Sequence, residues 1–359
     1  MKLLIEDSGE KAAAVLAVAF FTLCLSTVVG CGNGTGKDNG KAIKSNPQPA
    51  TLGNTWTGTA GAVSSYEVYS LAYDPSHNLL YAGCYYVPAR TGKGVWKYNG
   101  TTWTSTAGGV SSHEVYSLAY DSSHNLLYAG TYNGVLKYDG TNWTDTAGGV
   151  SSYEARSLAC DSSHNLLYAG TYSHGVWKYD GTTWTDTAGG VSSYEVYSLA
   201  CDSGHNLLYA GTGGHGVWKY DGTNWTDTAG GVSSDEIDSL AYDSGNNLLY
   251  AGTIFGVWKY DGTTWTDTAG GVSNYGISSL AYDSGRNLLY AGTYGQGAWK
   301  YDGTTWTETG GSVEGGVGGG VSSYQVRSLA YDSGHNLLYA SFSEPFIHTG
   351  RGVWRYNGH

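Results

Sequence analysis

An all-β chain, folded as a seven-bladed β-propeller with four antiparallel strands per blade, is what this sequence predicts. Three observations carry the prediction. The first is composition. The 359 residues include 56 Gly but 5 Pro, 32 Tyr and 13 Trp, and charged residues make up 13%. Glycine is about 16%, roughly twice its usual share, and charge is about half of the usual share. Tyr, Trp, Thr and Val suit pleated surfaces, and Gly suits tight turns. A helical array, a collagen and a disordered acidic chain are excluded by the same numbers. The second is a period. One motif recurs at Trp56, Trp103, Trp143, Trp184, Trp225, Trp265 and Trp306, with spacings of 47, 40, 41, 41, 40 and 41. A period near 40 with several strands per unit marks a propeller blade. The third is the phase of the repeat at its two ends, taken up below.

One unit shows the elements. Strand a is Val115–Tyr120 and its turn is Asp121–Asn125. Strand b is Leu126–Thr131, and strand c is Val135–Tyr138. Asp139-Gly140 predicts a two-residue type I′ hairpin. Strand d is Thr141–Thr146, followed by a Gly-Gly-Val-Ser-Ser loop. The last unit has a, b and c (Val326–Asp332, Leu337–Ser341, Val353–Tyr356), while the first recognisable element is a lone d strand, Asn54–Thr59. Seven a-b-c sets match seven d strands only if the N-terminal strand completes the C-terminal blade. That closes the ring and removes sheet edges. The propeller is expected to span 54–359.

Residues 12–30 form the one long apolar run. Val28-Val29-Gly30-Cys31 resembles a bacterial lipobox. The resemblance implies a signal peptide over 1–30, lipidation of Cys31 and anchoring of the chain to a membrane, with 31–53 as a flexible tether. Gly32 after that cysteine implies outer-membrane sorting in a Gram-negative envelope. The competing reading is an uncleaved membrane helix. The net charge of −12 offers no basic surface, so nucleic acid is excluded as a partner. The expected setting is the cell envelope, facing periplasm or exterior, as a monomer with no cofactor and no metal.

The pattern Ser-Leu-Ala-x-Asp, Leu-Leu-Tyr-Ala-Gly-Thr, Gly-Val-Trp-Lys-Tyr-Asp-Gly-Thr-x-Trp resembles the propeller repeats of two-component-regulator sensors. It covers about 55–358 and implies the propeller, not a ligand. WD-type repeats match less well, since no Gly-His pair precedes strand a. The Asp box of sialidase-type propellers is not matched.

The copies act as controls for one another. Asp74, Asp121, Asp161, Asp202, Asp243, Asp283 and Asp332 occupy one position in all seven, and are read as caps of the a–b turn. The seven d-strand Trp residues are read as filler between blades. His77, His124, His164, His205 and His335 recur in the a–b turns, with Asn246 and Arg286 in the other two. They are read as solvent-exposed, because a metal ring would not tolerate those replacements. Cys84, Cys160 and Cys201 are read as buried free thiols.

Variation concentrates on the face that carries the b–c and d–a loops. The b–c segments of blades one and seven are long, 84–94 and 342–352, and the d–a loop 310–320 is expanded. Ring closure makes these blades neighbours. The candidate binding residues are Tyr85, Tyr86, Arg90, Lys93, Phe342, Glu344, Phe346, His348 and Arg351, a mixture of aromatics with both charges. A second variable row lies at the start of strand a. Glu67, Glu114, Glu154, Glu195 and Glu236 recur there, and two residues on come Tyr69, Tyr116, Arg156, Tyr197, Asp238, Ser278 and Arg327. This row is read as a solvated acidic rim of the central channel, able to attract a cation or a basic partner.

The function expected is a membrane-anchored extracytoplasmic binding or scaffolding protein that recognises a protein or glycan through the loop face of blades seven and one. The alternative is a multivalent lectin with sites between blades. A polysaccharide lyase or glycoside hydrolase ranks below both. It needs two carboxylates about 5–10 Å apart, for which Glu314 and Glu344 are the candidates; no catalytic motif is present.

Overall fold

The computed structural model describes residues 55–59, 61–86, 91–233, 235–310, 323–344 and 350–358. The expected signal peptide, the expected tether and Cys31 lie outside the described residues. The described chain forms seven four-stranded antiparallel sheets. Blade two is typical, with strand a at Val115–Asp121, b at Leu126–Thr131, c at Gly134–Tyr138 and d at Trp143–Asp145. The N-terminal strand Trp56–Gly58 pairs antiparallel with Gly350–Tyr356, Trp56 opposite Tyr356, and so completes blade seven.

The Asp-Gly turn differs from the expected hairpin. Tyr138 pairs with Trp143, so the loop has four residues. Gly140 has φ 94°, but Asp139 is not among the positive-φ residues that a type I′ turn requires. The Asp139 carboxylate instead accepts hydrogen bonds from the Thr141 and Asn142 backbone N–H groups, at 2.8 and 2.7 Å. These bonds hold that carboxyl below the usual carboxylate range.

Packing between blades explains the repeat. Each d-strand Trp donates its indole N–H to a Thr hydroxyl of the preceding blade. Trp143 Nε1 reaches Thr106 Oγ1 at 3.0 Å, and Trp56 closes the circle on Thr309 Oγ1 at 3.3 Å. An inner ring runs parallel to it. Ser70 Oγ accepts from Leu118 N at 2.9 Å, and Ser328 Oγ from Leu71 N across the seam at 3.0 Å. The glycine of strand b serves this closeness. A Cβ on Gly83 would stand 2.7 Å from Val115 Cγ1, and one on Gly130 would stand 2.5 Å from the Ala155 carbonyl oxygen. Where blade seven has Ser341, its hydroxyl donates to the Val68 carbonyl at 2.9 Å.

Thr106→Val is expected to destabilise the fold by about 1–3 kcal/mol, because it strips the Trp143 indole of its acceptor and the Val95 carbonyl of a 2.8 Å bond. Chemical denaturation checks this against Thr104→Val, on the exposed side of the same strand, which should stay within about 0.5 kcal/mol of wild type.

Candidate functional site

The two faces differ in chemistry. On the a–b turn face all seven Asp residues cap their turns. Asp74 Oδ1 accepts from Ser76 N and His77 N at 2.8 and 3.1 Å. The turn histidines are more than solvated ornaments. Nδ1 of each lies 2.7–2.9 Å from the Oδ2 of its own blade's aspartate. Clefts between neighbouring blades open here, of about 280 Å³ beside His77, 210 Å³ beside His124 and 150 Å³ beside His335. Cys84, Cys160 and Cys201 are free, Cys84 buried and the other two half-buried. Burial pushes the Cys84 thiol far up, so it is unreactive.

The sequence-predicted residues that are described lie on the b–c hairpins of blades one and seven. The described residues of the long segments are strand, Glu344 apart. In blade one b runs Leu79–Tyr86 and c runs Thr91–Tyr98; in blade seven b runs Leu337–Ser343 and c starts at Gly350. The hairpins are therefore extended, with Tyr85 opposite Gly92 and Ser343 opposite Gly350. Tyr85 stacks on Tyr69, centroids 5.7 Å apart. Tyr86 ends its strand. The Lys93 carbonyl accepts from Trp96 Nε1 at 3.1 Å. Glu344 forms an ion pair with Arg351, whose guanidinium lies 5.7 Å from the Tyr324 ring. Arg90, Phe346, His348 and Glu314 lie outside the described residues.

Phe342 belongs elsewhere. It is 1% exposed and meets Trp56 edge-on, with centroids 5.2 Å apart, in the core of the closing blade. The reason is its register. It takes the strand-b place held in other blades by Thr131, Thr171, Thr212, Thr253 and Thr293, all fully buried.

Sequence reasoning left out the residues that stand out most. The exposed large hydrophobics among the described residues are Tyr132, Tyr172, Ile254, Phe255 and Tyr294, at 43–64%. Every one lies in a short b–c loop, so every one is on the loop face. Their signal was present, since these loops vary among otherwise similar copies.

The strand-a row is also more structured than a solvated rim. In each blade the register shifts at one residue, which makes a β-bulge at Tyr69, Tyr116, Arg156, Tyr197, Asp238, Ser278 and Arg327. A bulge re-aims its side chain, and these half-buried residues surround the channel mouth. A cavity of about 430 Å³ opens between six of them, all but Asp238, with Glu114 and Tyr294 also in its wall. Arg156 pairs with Glu154 at 2.8 Å, its guanidinium lying 5.4 Å from the Tyr116 ring and 4.8 Å from the Tyr172 ring. Arg327 of blade seven pairs with Glu67 of blade one at 3.0 Å, and lies 5.7 Å from the Tyr69 ring. Glu67 is 2% exposed, so this pair is buried at the seam rather than solvated. Tyr294 donates to Asp238 at 3.2 Å. Burial, with Glu236 beside it, pushes the Asp238 carboxyl up to about 6. Burial also raises Glu114.

A carboxyl raised in the folded state holds its proton where the unfolded chain has lost it. Its contribution favours folding at low pH and is lost as pH rises from about 4 through about 6. Asp238→Asn is therefore expected to flatten the fall in melting temperature between pH 4 and 6, and to be more stable than wild type at pH 7. Melting curves across that range check it.

No group of three or more metal-ligating side chains occurs among the described residues, and none of their helices is long and apolar enough to cross a membrane. No family model matches the chain, and no curated protein matches its sequence. Solved structures do match in shape. The extracellular domain of a hybrid two-component system from B. thetaiotaomicron superposes with TM-score 0.67 at 18% identity, over 85% of this chain and 40% of that one. A GH74 xyloglucanase from Xanthomonas campestris gives 0.62 at 17%, over 84% and 53%. U3-55K gives 0.64 at 14%, over 84% and 98%. This chain thus spans less than two thirds of the first two. Identities this low show a shared propeller fold, and fold does not fix function.

Proposed function

We propose that this protein is an extracytoplasmic binding protein, anchored to a membrane through Cys31, that takes a protein or glycan ligand on its loop face. The observation that carries the reading is the gathering of the exposed apolar side chains on that one face. Tyr132, Tyr172, Ile254, Phe255 and Tyr294 leave the opposite face to short polar turns. Exposed apolar side chains rimmed by polar groups mark interaction surfaces. The Arg351–Glu344 pair and Tyr85 extend the surface across the seam. The likeness to an extracellular sensor domain is compatible with a site outside the cytoplasm. A pull-down from cell-envelope extracts tests the reading. The full chain should retain a partner that is lost by Phe255→Ser/Tyr132→Ser and by a variant with 87–90 and 345–349 shortened. Phe342 is kept in every variant because it belongs to the core. Equal recovery by all variants would contradict the proposal.

The multivalent lectin remains as a second reading because inter-blade clefts on the turn face recur at three successive junctions, from blade seven to blade three. It predicts several equivalent ligands per chain.

A further inference from the structure

The seven copies are nearly alike, so a position where they diverge is informative. The residues flanking each bulge hardly change: Val, Ala or Ile precedes it and Ser follows it in every blade. The bulged residue itself is Tyr, Arg, Asp or Ser. Seven-fold symmetry is broken at the channel mouth, where all of these side chains but Asp238 line a cavity of about 430 Å³. Small-molecule pockets run from about 300 to 1,000 Å³. A symmetric scaffold with an asymmetric mouth suits one ligand per ring.

The chemistry of the wall narrows the ligand. Both guanidiniums are already matched by carboxylates, Arg156 by Glu154 and Arg327 by Glu67. Those carboxylates stand behind the wall and offset its two guanidiniums, while Glu114 puts a carboxyl into the wall itself, so the mouth favours neither sign of ligand charge. The wall nevertheless offers donors on the guanidiniums and acceptors on Glu114 and the tyrosine hydroxyls, which is what a hydroxyl needs, since it donates once and accepts twice. Between the pairs lie tyrosine faces, Tyr69 and Tyr116 with centroids 6.4 Å apart. Aromatic faces offer apolar area with little conformational entropy to lose. A ligand with an apolar C–H face and a rim of hydroxyls satisfies both features.

Resting on the loop-face reading above, we propose that the channel mouth binds one neutral sugar unit of a glycan. Its ring stacks on the mouth tyrosines, and its hydroxyls bond to the Arg156 and Arg327 guanidiniums and to the Glu114 carboxyl, all in the cavity wall. The surrounding exposed apolar loops then cover the rest of the chain of sugars.

Saturation-transfer NMR on the full chain tests this, with a mixed digest of neutral plant and microbial polysaccharides as the probe. Sugar ring protons should receive saturation, and titration of the retained oligosaccharide should give one per chain. Tyr116→Ala should weaken binding roughly tenfold, the size of one aromatic contact. Tyr116→Phe keeps the ring and should stay within about threefold of wild type; His77→Ala, on the turn face, should leave binding unchanged. No transfer to any sugar would overturn the proposal. So would several sugars per chain that are indifferent to Tyr116→Ala, which is the result expected of inter-blade clefts. If the envelope partner is still lost on loop substitution while no sugar binds, the loop-face reading stands and the sugar site falls; if neither binds, both fall.

Discussion

Trp56→Ala is expected to lower stability by about 3–5 kcal/mol, the range for removing a large buried aromatic. Trp56 is fully buried although its strand has three residues. Its ring packs on Tyr356 at 5.0 Å and on Phe342 at 5.2 Å, and its indole N–H reaches Thr309 of blade six. One side chain thus joins the closing strand to blades six and seven. Its loss frees a sheet edge as well as a cavity. The same change at Trp225, which is only half-buried, should cost less. At ~2–4 °C per kcal/mol for a domain of this size, Trp56→Ala should melt about 10 °C lower, and calorimetry measures the difference directly.

The second large effect is expected at the same seam from its inner side. Arg327→Met removes the guanidinium that faces Glu67, a carboxylate 2% exposed. Breaking a buried pair from one side typically costs about 3–5 kcal/mol, because a buried charge is left uncompensated. Adding Glu67→Gln to that variant should restore a large part of the loss. Arg156→Met is the comparison. Its partner Glu154 keeps 15% side-chain exposure and can be rehydrated, so the penalty there should be smaller. Urea denaturation of the four proteins separates the two cases. Equal losses at both positions would show that burial at the seam is not what makes the Arg327 pair matter.

Much of the architecture was legible in the sequence because the repeat does the aligning. The Trp spacing gives the blade count, and the lone strand at 54–59 gives the closure that Trp56 makes. Local chemistry was less legible. Asp139-Gly140 looks like a two-residue turn, yet its carboxylate prefers two backbone N–H groups and opens a four-residue loop. Phe342 looks like part of an insert. Counting along Leu337-Leu-Tyr-Ala-Ser-Phe342 against Leu126-Leu-Tyr-Ala-Gly-Thr131 would have placed it at a buried position. The strand-a row could be read as variable from sequence. Its meaning could not, because a β-bulge is not visible in a pattern of alternation, and the bulge brings Arg327 of the last blade onto Glu67 of the first. The exposed b–c loop residues were passed over for a similar reason. Insert length is conspicuous in a sequence, whereas two apolar residues in a short loop, Ile254-Phe255, are not.

The proposed function requires that ligand binds the loop face and not the turn face. Hydroxyl-radical footprinting of the full chain, with and without cell-envelope extract, compares the two faces in a single experiment. Protection of Tyr116, Tyr132 and Phe255, with His77, His164 and His335 unchanged, is the predicted result. Protection of the turn histidines, with the mouth and loop aromatics as reactive as in the free protein, would contradict it.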